Sequence, residues 1–209
     1  MTRTVTLVAA VTVTAATLAG CGPATTAGTT ITPAPTAAPA AGGGVLSAED
    51  PDHSTAQPFP TAGSCHARTV PHGTLPDSGC TSGATDPHVT QATIGTTICR
   101  AGGYTSTVRP PEAVTSVEKR SALRSYNDTA PTATYELDHL VSLELGGSPN
   151  SPRNLWPEPG ASPNPKDTLE TALHDLVCSH RMTLTDAQSA IAGNWVTTYR
   201  QVIGTDPMG

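Results

Sequence analysis

Aspartate and histidine stand side by side at Asp138-His139, inside the largely apolar run Tyr135-Glu-Leu-Asp-His-Leu-Val-Ser-Leu-Glu-Leu145. Burying a carboxylate or an imidazole is costly unless it is partnered or used. Hydrolysis of a phosphodiester needs a base to deprotonate water and a cation to neutralise the charge that builds on phosphate and leaving oxygen. A histidine can be that base, and an aspartate can be an oxygen ligand for a divalent cation. Successive side chains on a strand point to opposite faces, so His139 could meet a substrate while Asp138 reaches a metal under a bending loop. A further ligand would then have to come from the next helix. The same pair would also suit a buried, hydrogen-bonded structural couple.

The surrounding pattern says which elements must hold that pair. Alternation predicts a strand over 135–143, a turn at Gly146-Gly147 and a short partner strand over 154–157. Asn164 suits a helix N-cap and Pro165 the first helical position. Leu169, Leu173, Leu176 and Val177 then recur at helical spacing, with Cys178 one residue on. Upstream, Arg109-Pro-Pro111 separates two segments and a helix is expected over 112–126, with Thr115 and Glu118 as a capping box. Lys119, Arg120 and Arg124 read as its solvated face. A final helix is expected to carry Ile191, Trp195, Val196, Tyr199 and Ile203 on one face, and Thr185 and Gln188 resemble another capping box. Between 61 and 98 periodicity is weak. Stretches 89–94 and 96–98 read as short strands or ordered loop, and His53, His66, His72 and His88 as surface histidines.

The central stretch resembles the HNH (His-Me finger, ββα-metal) nucleases. The resemblance rests on Asp138-His139, the Gly-Gly loop, Asn154 fifteen residues after His139, and Asn164 at a helix start ten residues later. It covers about 135–180. More loosely, Val108-Arg-Pro-Pro111, Leu143-Glu-Leu-Gly-Gly, Asn154-Leu-Trp-Pro, Lys166-Asp167 and Ala187-Gln188 resemble a group of exported bacterial HNH-like proteins. The resemblance implies an α+β fold with a ββα-metal core and flanking helices. It implies that His139 is the general base, that Asp138 binds a divalent metal, and that Asn154 braces the loop and orients His139. Asn164 would occupy the second metal position, with His174 as the alternative ligand. Arg153 or Lys166 would steady the phosphate. The implied metal is most simply Mg²⁺, with Mn²⁺ or Zn²⁺ as substitutes, and the implied substrate is DNA or RNA.

Composition and the remaining motifs set the context. The N-terminus reads as a signal peptide over 1–20, ending in Leu18-Ala19-Gly20-Cys21. That end resembles a bacterial lipobox, which implies lipidation of Cys21. The stretch 21–60 is rich in Thr, Ala, Pro and Gly and reads as a disordered tether, leaving 61–209 as the folded domain. The expected location is outside the cytoplasm, on the membrane through the lipid or else secreted, as a monomer with no transmembrane helix in the mature chain. Cys65, Cys80, Cys99 and Cys178 remain, an even number that suggests two disulfides in an exported chain. Three pairings are open, of which Cys65–Cys80 with Cys99–Cys178 is favoured; a zinc site near Cys65, His66 and His72 lacks the CxxC spacing that would support it. The formal charge of −6 argues against a broad nucleic-acid-binding surface, though not against a small basic groove. A non-catalytic surface module that kept the fold is therefore the second reading. A glycan-binding domain is the third, and 3% aromatic residues give it few platforms.

Overall fold

The computed structural model describes residues 46–49, 54–160 and 162–208. The expected signal peptide, Cys21 and most of the expected tether lie outside the described residues. In chain order come strands β1 (Ser47–Ala48), β2 (Arg68–Val70), β3 (Gly73–Leu75) and β4 (Ala84–Thr85), then helices α1 (Thr105–Val108) and α2 (Glu112–Ser125). Strands β5 (Tyr135–His139) and β6 (Leu155–Pro159) follow, then helices α3 (Pro165–Cys178) and α4 (Leu184–Ile203). The strands form three two-stranded sheets, β1 with β4 parallel and the pairs β2–β3 and β5–β6 antiparallel. This is an α+β arrangement with two disulfides, Cys65–Cys80 and Cys99–Cys178, the favoured pairing. Disulfides of this kind fit an oxidising, extracytoplasmic compartment. Among the described residues no helix is long and apolar enough to cross a membrane.

Local chemistry explains where the elements start. Asn164 caps α3: its side chain accepts from the Lys166 N–H, the Asp167 carboxylate accepts from the Asn164 N–H, and Pro165 takes the first helical position, where a missing N–H costs nothing. The two other expected capping boxes do not form. Pro111 precedes α2, so Thr115 sits within the helix and Glu118 turns into the interior. Thr183 rather than Thr185 caps α4, and Gln188 instead donates to the Leu145 carbonyl at 2.8 Å.

Side-chain bonds to the backbone settle two further regions, 89–98 as ordered loop and the end of the first central strand. Over 89–98 the threonine hydroxyls take backbone groups, with Thr93 Oγ1 accepting from the Thr90 N–H and donating to the His88 carbonyl, both at 2.8 Å. The result is a series of turns and a 3-10 turn at Ile94–Thr96. Strand β5 stops at His139 rather than 143, because the Asn154 amide takes both the N–H and the carbonyl of Val141, which a ladder would have used.

The main core lies between α3 and α4. Leu169, Leu173 and Val177 meet Leu184, Ile191, Trp195 and Val196, and Val141 and Leu145 enter from the loop between β5 and β6. A smaller cluster of Cys65, Tyr126, Leu140 and Trp156 forms a second core. The loop needs both of its glycines. Gly146 adopts φ 71°, and a Cβ on Gly147 would stand 1.8 Å from the Val141 carbonyl oxygen. The packed chain also begins earlier than the expected boundary at 61. Strand β1 pairs with β4, Glu49 lies 3.6 Å from Arg153, and the Pro60 carbonyl accepts from the Ser125 hydroxyl at 2.7 Å.

Candidate active site

Antiparallel pairing sets Asp138 opposite Trp156 and His139 opposite Leu155. The first turn of helix α3 then brings Lys166 to the end of β5, where its ammonium reaches Asp138 and the His139 carbonyl. The loop from β5 to β6 returns over the strand end, so that the Pro149 carbonyl lies 2.8 Å from His139 Nε2. Asn154 holds that return. It is fully buried, accepts from the Val141 N–H at 2.9 Å, and donates to the Val141 and Ser148 carbonyls at 3.0 and 2.9 Å. Its amide is spent on backbone groups, the Ala84 N–H of β4 at 3.5 Å being a further donor to Oδ1, and it acts on His139 through the loop backbone.

His139 is 8% exposed and has its pKa lowered to about 4. Burial is the main cause, the charges of Arg109 and Lys166 add to it, and the Pro149 hydrogen bond and Asp138 oppose it. The ring is therefore neutral at neutral pH. A carbonyl can only accept, so the proton sits on Nε2. Nδ1 keeps its lone pair and makes no hydrogen bond among the described residues. The ring lines a polar cleft of about 220 Å³, together with Arg109, Ser142, Glu144, Glu170 and Thr171. A larger hollow of about 430 Å³ between α2 and β5 has Lys119, Tyr135 and Leu137 on its walls and no imidazole, so the smaller cleft is the one with chemistry in it.

Asp138 has the opposite surroundings. Its Oδ2 accepts from Trp156 Nε1 at 2.7 Å and its Oδ1 from Lys166 Nζ at 3.0 Å. Lys166 is fully buried and spends all three ammonium protons, on Asp138, on the His139 carbonyl at 2.8 Å and on Glu170 at 2.6 Å. Burial on its own would lower the lysine pKa; Asp138, Glu170 and Glu158 outweigh it and raise it above the ordinary value. Glu136, Glu158 and Glu170 are all raised by burial, with the surrounding carboxylates adding. Glu170 has Lys166 and the Ser142 hydroxyl as donors, whereas Glu158 has only the Asn164 amide at 3.5 Å. Glu158, buried among carboxylates with this one weak donor, is held furthest above its usual range, at about 9.

The metal implied by the resemblance does not fit these donors. Both oxygens of Asp138 are engaged, one of them by a buried ammonium that would repel a dication. Asn164 Oδ1 is spent as the helix cap, and its Nδ2 donates to Glu136 at 3.0 Å. His174 lies ten residues further along α3, roughly 15 Å on, with Nε2 2.9 Å from the Ile98 carbonyl. It is absent from the walls of the cleft. Arg153 is absent too and pairs with Glu49 and Ser82. Lys166 steadies a carboxylate where a phosphate contact was expected. The cation that does line the cleft is Arg109, the residue that follows α1. Its sequence signal was Arg109-Pro-Pro111, where two prolines stop the helix and pin the backbone.

One other group offers metal ligands. Donor atoms of Cys99, His174 and Cys178 all lie within 4.8 Å of one another, a set that could hold a metal ion. As the Cys99–Cys178 disulfide the sulfurs carry no thiolate charge, so the set is closed in this state. No protein-family model matches the chain, and no curated protein or solved structure matches it either.

Proposed function

We propose that the cleft is a hydrolytic site for a phosphodiester of DNA or RNA, on an HNH-like ββα core, with His139 as the general base. The observation that carries this reading is the tautomer of His139. The Pro149 carbonyl takes the Nε2 proton and leaves Nδ1 without a hydrogen bond among the described residues, on a ring that lines the same cleft as Arg109. In the reaction Nδ1 takes a proton from water as the new O–P bond forms, and the leaving oxygen takes the electron pair of the breaking bond and a proton from solvent. Arg109 faces the non-bridging oxygens with a fixed positive charge. Asp138, held by Trp156 and Lys166, offsets part of the charge that the imidazole gains. No step is routed through a metal, because the proposed ligands are otherwise engaged. The protein acts outside the cytoplasm, held at the membrane by a lipid on Cys21.

The test is a cleavage assay of the full chain on single- and double-stranded DNA and on RNA, with and without Mg²⁺ and with and without chelator. Cleavage that falls by about 10²–10⁴-fold in His139→Ala supports the mechanism. Equal cleavage by the two proteins ends it.

A second reading has an observation of its own. Lys166 neutralises Asp138, and Glu136, Glu144, Asp167 and Glu170 outnumber Arg109 around the cleft. Those features suit a non-catalytic module that kept the fold. Absence of cleavage under every condition, with the chain folded, would favour it.

A further inference from the structure

Helix α3 carries a second chemical cluster at the end remote from the cleft. His174 and Cys178 are four residues apart and so share one helix face, while Cys99 reaches them from the segment after the 3-10 turn at Ile94–Thr96. His174 Nε2 lies 3.3 Å from Cys178 Sγ, and its Nδ1 lies on the other side of the ring, 3.7 Å from the Asp175 carboxylate. The same Nε2 lies 2.9 Å from the Ile98 carbonyl, and an imidazole with one nitrogen beside a cysteine sulfur and the other near a carboxylate has the elements of a metal-bound histidine. All three residues are half-buried, so a reductant and an ion can both reach them.

We propose that Cys99, His174 and Cys178 form a redox-gated zinc site, in which the disulfide and the metal are alternative clamps on the same three residues. A dithiol reductant opens the gate: it takes up the disulfide by exchange, leaving two protein thiols and its own cyclic disulfide. Zinc binding then releases the two thiol protons, the His174 ring proton moves from Nε2 to Nδ1 beside Asp175, and Zn²⁺ rests on two thiolates and the freed Nε2, which leaves the Ile98 carbonyl. The fourth position stays open to water. Two thiolates with one imidazole suit zinc and not magnesium. Tetrahedral zinc bonds of about 2.3 Å require the sulfurs to separate to about 3.8 Å. Rotation of the two side chains can supply that separation across a Cα–Cα distance of 5.5 Å. The other disulfide, Cys65–Cys80, has no such third ligand among the described residues. The consequence is mechanical. Either clamp ties the C-terminal end of α3 to the front of the domain, and the same helix carries Lys166 and Glu170 at its other end.

The test uses the full chain with Cys21→Ser, so that this thiol does not compete. The chain is reduced with dithiothreitol, desalted without oxygen and titrated with Co²⁺ and then Zn²⁺. The expected result is one Co²⁺ per chain, with thiolate charge-transfer absorption and tetrahedral visible bands that Zn²⁺ abolishes. The oxidised chain binds none in this way. His174→Ala, which keeps the disulfide and so folds, should bind at least about tenfold more weakly once reduced, since even loss of a supporting partner costs about 10–100-fold. Zinc should shield Cys99 and Cys178 from alkylation while the half-buried Cys80 reacts as it does without zinc. If reduction unfolds the chain, zinc should restore its far-ultraviolet dichroism. Failure to bind Co²⁺ through thiolate, equal affinity in His174→Ala, shielding of the wrong cysteines, or failure of zinc to refold an unfolded reduced chain would each overturn the proposal.

Discussion

Asp138 and His139 are neighbours in the chain and end in opposite states. On the Asp138 side every strong donor is used: one buried ammonium meets two carboxylates and a carbonyl, and an indole completes the aspartate. On the His139 side one ring nitrogen is fixed by a backbone carbonyl, the other has no hydrogen bond among the described residues, and the ring lines a cleft. The first arrangement holds α3 against the sheet. The second keeps an imidazole neutral, with one lone pair not taken by a hydrogen bond among the described residues. The contrast shows that a pair of costly residues need not share a role: the strand end separates them, and the elements packed on each side decide which one stays reactive.

The largest test of this contrast removes the ammonium. Lys166→Met leaves Asp138 and Glu170 buried without their cation, and unfolding in urea should show a loss of about 3–5 kcal/mol. Adding Asp138→Asn should recover part of that loss, because the charge left unpaired is then gone. A loss below about 1 kcal/mol would mean that the group behaves as a solvated surface pair.

The cleft side is probed through its cations. Arg109→Ala should lower kcat/KM on an oligonucleotide substrate by about 10–100-fold, the loss of one charge-assisted contact to phosphate. Arg153→Ala, remote from the cleft, should leave kcat/KM within about twofold and cost about 0.2–1 kcal/mol of stability through Glu49. Reversed effects would move the phosphate to the Arg153 side.

A smaller effect comes from Glu118, a buried carboxylate of a third kind. Neither oxygen has a hydrogen-bond partner, and burial raises its pKa to about 7, with the Gln57 backbone N–H opposing the shift without completing a bond. The folded chain thus holds this proton more tightly than the unfolded chain. Its contribution to stability is full below about pH 4.5 and falls as pH rises through about 7. Glu118→Gln should therefore stabilise the protein at pH 8 by about 1–3 kcal/mol and remove that slope, measured by urea midpoints across pH. An unchanged slope would place the titrating group elsewhere.

Much of the centre was legible from residue types. Asn164-Pro165 marked the start of α3 through a missing N–H and a capping oxygen, and the even cysteine count pointed to the two disulfides that form. The failures have physical causes. Lysine is rarely buried, so Lys166 read as a phosphate contact, when three acceptors converging from β5 and α3 make its burial tolerable. The capping pattern at Thr115 ignored that prolines before it had already started the helix. His174 lies on the right helix but about three turns too far along, a distance that spacing in the chain conceals. Arg109 reaches the cleft from α1, a helix of four residues with no periodic signal of its own.

The most direct measurement is the protonation of the His139 ring itself, followed by nitrogen-15 chemical shifts of the full chain against pH. The account predicts a neutral ring with its proton on Nε2 from neutral pH down to about pH 5, titrating near 4. A ring that titrates near 6.5, or one that carries its proton on Nδ1, would contradict it.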